Sequence, residues 1–167
     1  MSTQNQPSQK TYHTKATGLA ALTVSNHSSE NELKLYGSCF CLGGQGHSVS
    51  VYRVPNFYRV LQEQDEQKQI SNAQELKDAF ATLVNAADSQ GPFFLGANIS
   101  FVDVQVAPWI IRLSRVLKPY RAWPDPDAGS RWGAWVNAIE ANEHVKATTS
   151  DDELYIDSYE RYARRFP

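Results

Sequence analysis

Two cysteines and a nearby histidine are the residues of this chain with the most reactive side chains. Cys39 and Cys41 lie two positions apart, so a bridge between them would be strained, and free thiols in a reducing compartment are the simpler interpretation. A thiol at the end of a strand is a candidate nucleophile if a helix N-terminus lowers its pKa. His47 adds a third metal ligand, one fewer than a closed structural zinc site needs. We therefore predict no metal site.

The elements around these thiols are short. Residues 32–40 place Leu33 and Leu35 at the two-residue period of a strand. The glycine cluster at residues 43–46 matches neither a dinucleotide-binding fingerprint nor a phosphate loop, which indicates a flexible connector. Residues 1–31 are polar and aperiodic, which favours a disordered leader.

Residues 54–167 are predicted to be helical throughout. A first helix buries apolar side chains at the spacing of one helix face: Val54, Phe57, Tyr58 and Leu61. A second helix is predicted to begin at Ser71 and to end at Gly91–Pro92. Later helices begin at Ser130 and near Asp151.

The most specific local signal is a capping box. Ser100 can cap the amide of Asp103, while the Asp103 carboxylate reaches back to the amide of Ser100 and Ile99 packs on Val104. The following helix, to about Leu117, is apolar on nearly every side and marks the core. Helices joined by short polar connections predict an all-α helical bundle.

Composition excludes several classes of function. The chain has 167 residues, 41% of them hydrophobic, which is enough for one core. A formal net charge of -2 with scattered charges gives no footprint for nucleic acid. No apolar run approaches the roughly 20 residues that span a bilayer, so no membrane partner is predicted.

These elements together resemble a known family. The GPFFLG turn at residues 91–96, the Ser-x-x-Asp box, the proline-bearing core helix and the Trp-rich helix after it are similar to the C-terminal domain of glutathione S-transferases. The resemblance covers residues 54–167. The chain is most similar to fungal omega-like members of the family, which also carry a segment like ELKLYGSCFC, found here at residues 32–41. Residues 32–53 then correspond to a remnant of the thioredoxin-like domain, and the rest of that domain is expected to be absent.

The resemblance implies both chemistry and site residues. Glutathione is the implied co-substrate, conjugated to or exchanged on a small hydrophobic electrophile in fungal detoxification or secondary metabolism. Cys41 takes the place of the catalytic cysteine, although Leu42 stands where relatives have proline. Tyr58, Trp109 and Arg112 are the implied substrate-binding residues. A cytoplasmic location and possible homo-oligomers are also implied.

Two alternatives stay open. Only fourteen residues, 41 to 54, separate the strand from the first helix, whereas one βαβ unit needs roughly 30, so a thioredoxin-like domain does not fit. The chain is then either a transferase or a non-catalytic helical module that binds a hydrophobic ligand or a protein partner. Tyr58 and Trp109 can equally fill the core. The row formed by Arg112, Arg115 and Lys118 is either an anion site or a solvated face.

Loss of the partner domain also predicts an exposed apolar patch. Its expected members are Tyr58, Leu61, Trp109 and Leu113. Such a patch favours self-association or ligand binding.

Overall fold

The computed structural model describes residues 13–26 and 54–164. The predicted strand, the glycine connector, both cysteines and His47 lie outside the described residues. The described residues form helices and contain no β-strand, which confirms the prediction of an all-α fold. None of the described helices combines the length and the hydropathy needed to cross a membrane.

Eight α-helices and one π-helical turn follow each other along the described residues. They are α1 (Gly18–Asn26), α2 (Val54–Gln62), α3 (Glu66–Ala86), α4 (Phe101–Arg112), the π-turn (Leu113–Leu117), α5 (Lys118–Arg121), α6 (Arg131–Ala141), α7 (Glu143–Thr148) and α8 (Asp152–Ala163).

Most helix starts agree with the sequence, but α3 does not. Helix α4 follows its predicted cap Ser100, and α6 and α8 also begin where polar caps predict them. Helix α3 begins at Glu66, because the carboxylate of Asp65 accepts a hydrogen bond from the Lys68 amide at 2.9 Å. The predicted start at Ser71 is therefore wrong, and Ser71 is an exposed residue inside the helix.

The core helix continues without a break from α4 through the π-turn into α5. Pro108 lies inside α4, and the π-turn begins five residues later. A π-turn widens the helix locally and rotates the residues beyond it. Here it brings three side chains into the core together: Leu113, Val116 and Leu117.

Two groups of side chains form the interior. One joins α2, the π-turn and α8, and the other joins α4 to α6 around Trp135 and Ile139. Leu61 and Leu113 are buried in the first group, at 0% and 5% exposure. The expectation that these two leucines line an exposed patch is therefore wrong, because α8 and α3 of the same domain cover that side.

Arg121 ties the ends of two helices together. Its guanidinium donates to the carbonyls of Val60, Leu61 and Glu63 at the end of α2, and to Ala163 at the end of α8. The last four carbonyls of a helix have no partner within the helix, so one planar cation satisfies several of them. Partial burial lowers the pKa of Arg121.

Helix α1 was not predicted from the sequence. It packs on α7, where the Thr23 hydroxyl donates to the carbonyl of Ala147 at 2.5 Å and Ala20 is buried. The Asp151 amide donates to Thr17 Oγ1 at 3.1 Å, and the His13 amide donates to a carboxylate oxygen of α8 at 2.9 Å. The described segment of residues 13–26 is therefore joined by polar contacts to α7, to α8 and to the residue that precedes α8.

Candidate functional site

Aromatic rings from α2, α4 and α8 meet at one side of the bundle. We call the five rings of Phe57, Tyr58, Trp109, Tyr159 and Tyr162 the aromatic cluster. The Phe57 ring centroid lies 5.4 Å from Tyr58 and 5.6 Å from Trp109, both edge to face. Tyr58 stacks on Tyr159 at 6.4 Å and meets Tyr162 at 5.8 Å. Such contacts stabilise the arrangement beyond the area they bury.

The buried guanidinium of Arg112 packs against rings of this cluster. Arg112 is 4% exposed, and its Nε donates to the Tyr159 hydroxyl at 2.7 Å while Nη1 donates to the Pro108 carbonyl at 2.7 Å. Its guanidinium carbon lies 5.6 Å from the Trp109 ring centroid and 5.9 Å from those of Tyr155 and Tyr159. Ring faces and hydrogen bonds together compensate the cost of burying the charge. Burial also raises the pKa of Tyr155.

The structure brings the three predicted substrate-binding residues together. Trp109 contacts Arg112 directly, and Tyr58 joins them through Phe57. Tyr58 and Trp109 are half-buried, so each ring both packs in the cluster and reaches the surface. Arg112 differs, since its burial leaves it to hold rings in place rather than to face solvent.

The tyrosines of α8 were not predicted from the sequence as site residues. Tyr155, Tyr159 and Tyr162 follow the i, i+4, i+7 spacing that places residues on one helix face. That spacing was visible in the sequence. The sequence does not show that this face of α8 packs against α2 and α4.

The basic row of the core helix does not act as one surface. Arg112 is buried, Arg115 Nε lies 2.7 Å from a carboxylate oxygen of Asp152, and Lys118 Nζ lies 2.7 Å from Asp125. The three cations therefore face three different surroundings. A shared anion site at this row is not supported.

Asp103 is the most heavily bonded buried carboxylate among the described residues. Its Oδ2 accepts from the amide of Ser100 at 2.7 Å and from the Ser100 hydroxyl, so the predicted capping box is present. Its Oδ1 accepts from the Phe94 amide at 2.9 Å and from Trp135 Nε1 at 2.7 Å. The side chain is 0% exposed, which makes Asp103 a structural group and not a reactive one.

Over the described part of the chain, no three His, Cys, Asp or Glu side chains are grouped so that they could hold a metal ion. Cys41, the predicted catalytic residue, lies outside that part, and its role stays a prediction.

Comparisons with known proteins agree with the all-α fold. A family model described as "Glutathione S-transferase, C-terminal domain" matches residues 62–138. The crystal structure of glutathione transferase Omega 3C from Trametes versicolor is similar to this chain, with 37% sequence identity and a TM-score of 0.59. The match covers 68% of this chain and 48% of that one. A search of curated proteins found no match.

The fold and the sequence together define a glutathione S-transferase C-terminal helical domain. The chain belongs to the glutathione S-transferase family through this domain and is similar to a fungal omega-class member. It spans about half the length of that relative.

Proposed function

We propose that the aromatic cluster binds a small hydrophobic electrophile, and that the chain is a glutathione S-transferase-like protein acting on that electrophile. The observation that carries this proposal is that the half-buried rings of Tyr58 and Trp109 both pack on Phe57, and that Trp109 also packs on the buried guanidinium of Arg112. Aromatic surfaces of this kind suit flat apolar molecules. The family resemblance supplies the reaction class, with glutathione as co-substrate.

Two reactions fit this class. In conjugation, the sulfur of glutathione bonds to the electrophile and a leaving group departs with the electron pair. In exchange, the thiolate of Cys41 attacks a disulfide that carries a glutathionyl group, forms a mixed disulfide and releases the other thiolate. Tyr58 and Trp109 hold the electrophile, and Arg112 positions the rings.

A second candidate function is a non-catalytic helical module that binds a hydrophobic ligand or a protein partner. It is supported by the fourteen residues from 41 to 54, which leave no room for the βαβ unit that would grip glutathione. Without that grip the thiol is not positioned for reaction. A cytoplasmic location, homo-oligomers and a part in detoxification or secondary metabolism belong to the proposal in either form.

The deciding experiment is titration calorimetry of the purified chain with glutathione. Glutathione binding that is weak or absent supports the module. Micromolar binding, together with conjugation of 1-chloro-2,4-dinitrobenzene, supports the transferase. The two outcomes separate the candidates without any assumption about the natural ligand.

The ligand surface has a test of its own. We expect 8-anilino-1-naphthalenesulfonate to bind less tightly to Tyr58→Leu and Trp109→Leu, because both lose a ring at the surface. Ile70→Ala is the matched control, since Ile70 is an apolar residue of α3 that is 58% exposed and lies outside the cluster. Equal dye affinity in all the variants, at unchanged thermal stability, would contradict the proposed surface.

A further inference from the structure

Helix α1 lies on the surface formed by α7 and by residues 149–151, which connect α7 to α8. We call this surface the α7–α8 joint. Only Ala20 of α1 is buried, at 6% exposure, whereas the apolar side chains of Leu19 and Leu22 are 55% and 61% exposed. Neither of the two interior groups of described side chains includes a residue of α1. Helix α1 is therefore a short helix bound to the outside of the bundle.

Two hydroxyl groups of the docked segment contact main-chain groups of the α7–α8 joint. The Asp151 amide donates to Thr17 Oγ1 at 3.1 Å, and the Thr23 hydroxyl donates to the Ala147 carbonyl at 2.5 Å. The Thr17 amide also donates to the Ser150 hydroxyl at 3.4 Å. Helix ends leave such amides and carbonyls without partners inside the helix. The joint therefore presents hydrogen-bonding groups that a docked segment satisfies.

Gly18 makes the fit between α1 and the joint selective. Its φ of 57° lies in the left-handed region, which residues with a side chain disfavour. A Cβ atom at this position would overlap the carboxylate of Asp151, the N-cap residue of α8. A larger residue at position 18 would therefore push α1 away from the joint. The joint thus fits a helix that begins with threonine and glycine.

The chain between α1 and α2 is long enough to reach the joint of a second copy. Helix α1 ends at Asn26 and α2 begins at Val54, so 27 residues separate them. A segment of this length reaches about 90 Å when it is extended. The contacts of α1 are the same whether it docks on its own joint or on that of a second copy. Exchange of an identical element between copies is a low-cost route to a dimer.

We propose that the α7–α8 joint is a docking site for a short helix, and that α1 of a second copy takes the place of the chain's own α1. The chain's own α1 competes through its tether, with an effective concentration of about 1 mM for a flexible connection. Exchange therefore increases as the concentration of the chain approaches that value. None of the contacts described above involves the aromatic cluster, so the docking site does not depend on the transferase function.

The first test supplies α1 as a separate molecule, a peptide of residues 13–26. The peptide is added to the full chain carrying Gly18→Val, which displaces the chain's own α1 and leaves the joint unchanged. We expect the peptide to shift the NMR amide signals of α7 and of residues 149–151, and to bind the parent chain about tenfold more weakly. A peptide that itself carries Gly18→Val is the matched control and should not bind. Ala20→Glu, which would bury a charge under α1, is a second way to empty the joint.

The second test asks whether a second copy supplies the helix. Asp151→Trp blocks the joint, and α8 should stay folded because the Asp151 side chain makes no capping hydrogen bond. A tagged Gly18→Val chain then has an empty joint, and an untagged Asp151→Trp chain has a displaced α1. We expect the tagged chain to retain the untagged one. The double variant Gly18→Val with Asp151→Trp is the matched control, and it should bind neither the peptide nor the tagged chain.

Each part of the proposal has outcomes that overturn it. The docking site is overturned by the absence of binding at millimolar peptide, by equal binding of the two peptides, or by signal shifts confined to other residues. Retention of the double variant by the tagged chain would show that copies associate through another surface. Retention of neither untagged chain would show that α1 does not pass between copies. Either of these two results overturns the exchange.

Discussion

Replacing Asp103 with alanine removes the acceptor for four hydrogen bonds at once. Three of the donors are N–H groups, from the amides of Phe94 and Ser100 and from the indole of Trp135. The fourth donor is the Ser100 hydroxyl, which can rotate to another partner. We expect Asp103→Ala to be among the most destabilising single changes in the bundle.

The magnitude follows from the burial of these donors. An N-cap alone contributes about 1 kcal/mol, and a buried donor left without an acceptor costs about 1–3 kcal/mol. The Trp135 bond is fully buried, while the bonds from Phe94 and Ser100 are partly buried and can regain some water. The sum is about 3–5 kcal/mol, a large share of the about 5–15 kcal/mol that stabilises a typical domain.

Urea unfolding followed by circular dichroism measures this loss. Ser100→Ala should cost only about 1 kcal/mol, because it removes one hydroxyl and leaves the Asp103 carboxylate in place. The loss of stability in Asp103→Asn should lie between those of Asp103→Ala and Ser100→Ala. An asparagine side chain has one oxygen, which can accept either from Ser100 or from Phe94 and Trp135, but not from both sides. Asp78→Ala, an exposed carboxylate on α3, is the matched control and should change the free energy of unfolding by less than about 0.5 kcal/mol.

A double-mutant cycle separates the indole bond from the cap. Asp103→Ala and Trp135→Phe should be non-additive by about 1–2 kcal/mol, because each removes one partner of the same bond. If Asp103→Ala costs no more than Ser100→Ala, or if the cycle is additive, the carboxylate acts as a local cap only and the reasoning is refuted.

Three further changes test other parts of the bundle. Arg121→Lys should lower the free energy of unfolding by about 2 kcal/mol, because an ammonium lacks the planar fork that reaches the ends of α2 and α8; an unchanged urea midpoint would contradict this. Tyr155→Phe should lose less stability than the parent as the pH rises above 10.0, since the raised pKa of Tyr155 keeps the folded phenol protonated while the unfolded one ionises; parallel pH profiles would count against it. Thr23→Val should speed amide exchange in α1 without moving the main thermal transition, because the bond to the Ala147 carbonyl joins only α1 to α7; slow exchange would show that other contacts hold α1.

Local patterns predicted the fold better than they predicted the partners of each residue. The box of Ser100 and Asp103 spans three residues, so its type and spacing are enough to identify it. The two other donors to Asp103 lie 9 and 32 residues away, and no local pattern links them. The start of α3 was misplaced because Asp65 and Ser71 are both good caps and the residues between them carry no apolar periodicity.

In the candidate site, too, the positions of residues could be predicted but their long-range contacts could not. Tyr58, Trp109 and Arg112 were named by position within a familiar domain, and the structure does place them together. The burial of Arg112 by three rings depends on the crossing of α4 with α8, which the sequence does not contain. The expected exposure of Leu61 and Leu113 was wrong because both side chains are buried by other helices of the same bundle, whose packing the sequence does not show.

The bridge made by Arg121 has a consequence for motion. A helix as short as α2, with nine residues, is marginal alone, and helix ends normally fray independently of one another. Here the ends of α2 and α8 share one guanidinium, so release of either end removes acceptors from the same donor group. Fraying of the two ends is therefore thermodynamically coupled. Tyr58 and Tyr162, one on each helix, should accordingly open toward solvent as a single gate and not as two separate side chains.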